Sequence, residues 1–99
     1  MYALVTTHHF DRSVAKFSRA HPELRKQLAK IFRDLEADPF QPHLRLHALK
    51  GSLEGLHAVS LTHAYRVTLM LRTPKKEIIL LDIGSHEDGE YSKSSFGSE

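Results

Sequence analysis

The run from Leu56 to Ile83, LHAVSLTHAYRVTLMLRTPKKEIILLDI, constrains this chain more than any other stretch. It holds three apolar, β-branched segments separated by two short polar turns, Thr62-His63-Ala64 and Thr73 to Lys76. Strands joined by turns this short must be antiparallel neighbours. Strict alternation predicts a strand over Tyr65–Arg72, with Tyr65, Val67, Leu69 and Leu71 on one face. Arg66, Thr68, Met70 and Arg72 then take the other face. Leu56–Leu61 reads as the strand before it. Ile78–Ile83 is nearly all apolar, as a central strand covered on both sides would be.

A three-stranded meander needs something to cover its apolar face, and the first half of the chain supplies it. Tyr2–Thr7 is short, apolar and β-branched, which predicts a strand. Thr7 can cap a helix that starts after it. Phe10, Val14 and Phe17 recur at helical spacing. His21-Pro22 ends that helix, because the residue before proline avoids the helical region, and Pro22 suits the first turn of a new one. There Leu24, Leu28, Ile31 and Leu35 form one stripe, with Phe32 beside it, until Asp38-Pro-Phe-Gln-Pro42 stops the helix. Residues 43–55 are mixed, with Gly51 and Gly55 marking a turn. The expected order is β-α-α-β-β-β. This is an α+β fold in which an N-terminal helical hairpin packs on one face of a small, mainly antiparallel four-stranded sheet. The other face is left open, with Arg66 on it. One domain over residues 1–91 is expected, with a frayed tail over 92–99.

Composition removes several function classes. There is no cysteine, hence no disulfide framework or thiolate zinc site. No apolar run approaches the roughly 18 residues of a membrane span, and MYALVTTHHF lacks a signal-peptide pattern. A cytoplasmic protein without membrane contact is expected. No glycine fingerprint, phosphate loop or G-x-S-x-G elbow occurs. His8-His9 and His43-x-x-x-His47 contain ligand-type side chains but no acid at a fitting spacing, so no metal and no cofactor are expected. His8, His9, His21, His43 and His57 are read as structural or solvent residues.

Charge points to a polyanion. Residues 1–50 carry nine Lys/Arg against five Asp/Glu, whereas residues 51–99 carry five against seven. Arg12, Lys16 and Arg19 share one side of the first helix, and Lys26, Lys30 and Arg33 one side of the second. Solvated helix faces look the same, but so do phosphate contacts to a nucleic acid. Arg45 and Lys50 add cations before the Gly51 turn.

Arg66 sits mid-strand, His86 follows the last strand, Tyr91 follows His86, and His47 and Lys50 precede the glycine turn. RNA cleavage by its own 2′-hydroxyl needs such parts. An imidazole moves a proton near neutral pH. A guanidinium matches the crowded phosphate. A phenol stacks on a base or donates a hydrogen bond. The bland alternatives are a cross-strand ion pair of Arg66 with Glu54 or Asp82, a strand-end cap for His86, solvent roles for His47 and Lys50, and core cover for Tyr91.

The segments HALKGSLEGL (His47–Leu56), YRV (Tyr65–Val67) and IGSH (Ile83–His86), with Tyr91 nearby, resemble the RelE/ParE superfamily of bacterial toxins, and within it the RelE/YafQ-type messenger-RNA interferases. FDRSVAKF and the helix after it fit that family's early helical hairpin. The resemblance implies a toxin of a type II toxin–antitoxin system, an endoribonuclease that cuts messenger in the ribosomal A site without a metal. It implies a cognate antitoxin as partner, with operator DNA reached only through that antitoxin. Arg66 then supports the phosphate, His86 and His47 are proton-transfer candidates, Tyr91 is the terminal aromatic and Lys50 binds phosphate. The basic helix faces meet ribosomal RNA. The chain departs from the family at Ser60 and Ala64, where YafQ-like members carry a histidine and an aspartate; His63 is a nearby substitute. Asp82 stands where a basic residue is common. Two other readings of the same resemblance are a ParE-like DNA gyrase inhibitor and a degenerate toxin that keeps only antitoxin and operator binding.

Overall fold

A computed structural model describes residues 1–85 of the 99-residue chain. Strand β1 (Ala3–Thr6) leads into helix α1 (His8–Ala20). Thr7 caps α1, its hydroxyl accepting from the Phe10 N–H while donating to the Leu80 carbonyl. Such a cap contributes about 1 kcal/mol, and here it also ties the helix start to the sheet. A 3-10 turn over Pro22–Leu24 comes after the break at His21, and α2 (Arg25–Ala37) continues from it. Beyond lie β2 (His47–Ala48), β3 (His57–Ser60), β4 (Tyr65–Arg72) and β5 (Glu77–Ser85).

The five strands form one sheet in the order β1-β5-β4-β3-β2. β1 runs parallel to β5, and every other pair is antiparallel. The expected α+β architecture with a helical hairpin is present. The sheet has five strands rather than four because two residues, His47 and Ala48, pair with Ala58 and His57.

The helices cover one face. Phe10, Phe17, Leu28, Ile31 and Leu35 pack with Val59, Val67, Leu69, Ile78, Leu80 and Ile83 in the main core. Phe10 meets Phe32 edge-on at 6.0 Å, joining the two helices. Burying this set supplies the main driving force for folding. The opposite face is only partly open, which corrects the expectation. Leu49, Leu53 and Leu56 form a second, smaller cluster over Ala58, because the turn after Lys50 folds its leucines back onto that face.

One irregularity decides where the functional residues point. Thr68 pairs with Asp82, but Leu69 pairs with Leu80, so Leu81 is an extra residue, a β-bulge. The bulge switches the parity of β5. Leu80 and Ile83 both reach the helix-covered core, although alternation alone would separate them. Strand β5 is therefore not covered evenly on both faces: Ile79 and Leu81 are only half-buried.

Candidate functional site

Beyond the bulge, three cross-strand rows order the end of the sheet. Val59, Val67 and Ile83 form one row, on the helix side. The next row, Ser60–Arg66–Gly84, therefore lies on the face away from the helices. Arg66 is half-buried, with a short side chain on one flank and none on the other. Among the described residues it forms no ion pair. The alternative partner Asp82 is occupied elsewhere: its carboxylate lies 3.3 Å from His9 Nε2 on α1 and accepts from the Ile83 N–H. Asp82 is thus engaged by a histidine on the neighbouring helix.

His47 pairs with Ala58, in the row of Thr68, and so shares the face of Arg66. Strand spacings place the two Cα atoms roughly 12 Å apart, two strands over and two residues along. His47 is exposed, and its Nδ1 lies 2.8 Å from the Arg45 carbonyl. A carbonyl only accepts, so Nδ1 is the donor in this bond, and Nε2 is the ring nitrogen left for another partner. Arg45 holds that carbonyl in place from a left-handed conformation, φ 54°, which costs a non-glycine residue about 1 kcal/mol. Lys50 is exposed just before Gly51, whose φ of 70° makes the turn, and the buried Leu49 and Leu53 anchor it on both sides.

His63 is exposed in the β3–β4 turn, at the Arg66 end of the sheet. Ser85, the residue before His86, pairs with Tyr65. His86 and Tyr91 lie outside the described residues, as do the domain end at residue 91 and the tail. The structure thus brings Arg66, His47, Ser60 and Gly84 onto one face and leaves the two C-terminal site residues aside.

The helix cations divide. Arg12, Lys16, Arg19, Lys26, Lys30 and Arg33 are all exposed. Lys30 is committed to Asp34 at 2.9 Å, and His43 reaches the same carboxylate oxygen at 2.8 Å. The His43 hydrogen bond first, and the Lys30 one second, hold the Asp34 carboxyl below its usual value of 3.8. In the acid range the unfolded chain then binds more protons than the native one, so stability rises with pH there. The contribution is complete above the unfolded value and disappears as pH falls through the lowered native one. In urea titrations between about pH 5 and pH 2.5, Asp34→Asn is expected to show a shallower loss of stability than the unchanged chain. Identical slopes would exclude the triad as a source of acid sensitivity.

The sequence reads His9 and His21 as structural or solvent residues and Tyr65 as part of the inward face of its strand. They belong to a cavity between α1 and the end of β5 that holds Lys16 as well. No local signal marks them, since 56 positions separate His9 from Tyr65 in the chain. Among the described residues no three His, Asp or Glu side chains are grouped as metal ligands, and no helix is long and apolar enough to cross a membrane.

No protein-family model and no curated protein sequence matches the chain. Solved structures do. A metal-bound toxin from Helicobacter pylori is similar over 90% of this chain and 99% of its own, with TM-score 0.73 and 23% identity. YafQ from E. coli strain BL21(DE3) is similar over 88% of this chain and 96% of its own, with TM-score 0.72 and 15% identity. The toxin–antitoxin complex RelBE2 from Mycobacterium tuberculosis has a chain similar over 86% of this one and 98% of its own, with TM-score 0.68 and 17% identity. At these identities the likeness is one of backbone rather than of site chemistry. The chain has the fold of the RelE/ParE toxin superfamily.

Proposed function

We propose that this chain is the toxin of a toxin–antitoxin pair and acts as an endoribonuclease on messenger RNA in the ribosomal A site. The observation that carries the reading is Arg66 on the helix-free face, without an ion-pair partner among the described residues, flanked by Ser60 and Gly84. His47 stands on the same face, its Nδ1 engaged with the Arg45 carbonyl. In this scheme one imidazole takes the proton from the 2′-hydroxyl, and the oxygen attacks the adjacent phosphorus. The Arg66 guanidinium binds the phosphate as negative charge builds on its oxygens. A second imidazole, His86, protonates the departing 5′-oxygen. The products are a 2′,3′-cyclic phosphate and a 5′-hydroxyl. Lys50 and Arg45 hold the flanking backbone, and Tyr91 stacks on a base. The proposed scheme needs only this chain's own side chains.

The antitoxin reading is supported by the neighbour solved within a toxin–antitoxin complex. It is also supported by an apolar row, Val5–Ile79–Met70, on the helix-free face. Val5 and Met70 keep 40% and 38% of their surface exposed, offering an anchor for a partner.

The test is primer extension on a translated messenger after brief induction, beside the same messenger with its start codon destroyed. Cuts that vanish without translation, and vanish with His86→Ala, are the expected result. Growth arrest with intact messenger would instead favour gyrase inhibition, and neither cuts nor arrest would favour a toxin that only binds.

A further inference from the structure

The cavity between α1 and the end of β5 has a volume of about 290 Å³ and lies at the edge of β5, lined from the sheet by Tyr65 and Ile83 of the helix-covered face and by Asp82, Gly84 and Ser85. It exists because β1 stops pairing at Leu80 while β5 runs on to Ser85, leaving α1 to face the unpaired stretch. One wall is aromatic. Phe17 meets Tyr65 edge-on at 5.2 Å and 80°, and the His21 ring lies 4.6 Å from Phe17 and 4.9 Å from Tyr65. Ser13 and Ser85 contribute hydroxyl-bearing side chains to the lining, and Lys16 an ammonium. Arg12 and Arg19, four residues before and three after Lys16 on the same helix, extend the positive charge along the outside.

A ring-lined wall beside a row of cations matches one ligand chemistry well. A nucleobase stacks on the rings, and its phosphate is drawn to the ammonium. An acidic peptide would use the cations but leave the wall without a purpose. The one carboxylate in the lining, Asp82, is buried and held by His9 and the Ile83 N–H. His9, which engages this acid, precedes Lys16 by seven residues, about 10 Å along the helix.

We propose that this cavity is a nucleotide subsite, taking one nucleotide of single-stranded RNA with its base against Tyr65 and His21 and its phosphate on Lys16. It deepens the ribonuclease reading and rests on it for the choice of RNA as the physiological ligand. Tyr65 and Arg66 are consecutive residues directed to opposite faces at the start of β4. An RNA strand passing over this end of the sheet therefore meets both the cavity and the Arg66 face.

The test is an amide-resolved NMR titration of the full chain with adenosine 5′-monophosphate and, separately, ribose 5-phosphate. The nucleotide is expected to shift the Ser13, Lys16, His21, Tyr65 and Ser85 amides and to bind about tenfold more tightly than the sugar phosphate. Lys16→Glu, an exposed change, is expected to weaken the nucleotide about tenfold. Equal binding of ribose 5-phosphate overturns the proposal, because the rings then contribute nothing. Shifts confined to the Arg66 face, or none, overturn it too. Nucleotide binding here in a protein that cuts no messenger would sink the nuclease reading alone. Cleavage without these shifts would sink the subsite alone.

Discussion

Arg66→Ala is expected to lower the rate of messenger cleavage about 100- to 1,000-fold, the usual cost of deleting one charge-stabilising donor. The loss should fall on kcat more than on KM, because a phosphate gathers charge between the ground and transition states. Folding should survive. Arg66 lies outside both hydrophobic clusters and anchors no ion pair among the described residues. The circular dichroism spectrum should therefore stay native. Arg66→Lys separates two explanations that alanine merges. If only positive charge matters, lysine restores most of the rate. If the planar fork matters, lysine recovers little, since an ammonium cannot hold two phosphate oxygens in one plane. Wild-type cleavage by the alanine variant would remove Arg66 from the mechanism and, with it, the main reason to assign catalysis to the helix-free face.

How much of this site is legible in the sequence depends on the range of the interactions that build it. The bounds of β4 come from local alternation, and the Thr7 cap and the break at Pro22 come from local backbone chemistry. All three are legible for that reason. The face of Arg66 is legible too, because the alternation that buries Val67 and Leu69 leaves no choice for the residue between Tyr65 and Val67. The bulge at Leu81 is not. A continuous run, Ile78 to Leu81, looks the same whether both faces are covered or the parity changes partway. Yet that bulge puts Ile83 in the core, Gly84 beside Arg66 and Ser85 beside Tyr65. The two-residue β2 is too short to show a period. The parallel pairing of β1 with β5 joins segments more than 70 residues apart, and the His9–Asp82 pair depends on it. No local signal in the sequence links Asp82 to His9, which lies on a helix near the other end of the chain.

His47 offers the second large effect, and its local geometry suggests how to measure it. A general base must present an unprotonated nitrogen to its proton donor. Nδ1 donates to the Arg45 carbonyl, so Nε2 of this exposed ring is the nitrogen that could act on a substrate. His47→Ala is expected to slow cleavage about 100- to 10,000-fold, the range of general base catalysis. Alanine alone is ambiguous, because it also deletes the bond that orders the turn after Arg45. His47→Asn resolves this: its amide N–H can still donate to the Arg45 carbonyl, but nothing replaces Nε2. If His47 is the base, asparagine is as inactive as alanine while the turn stays ordered. If His47 only braces the loop, asparagine restores cleavage. Proton abstraction would then have to come from another group at that end of the sheet, with His63 in the β3–β4 turn the first to replace.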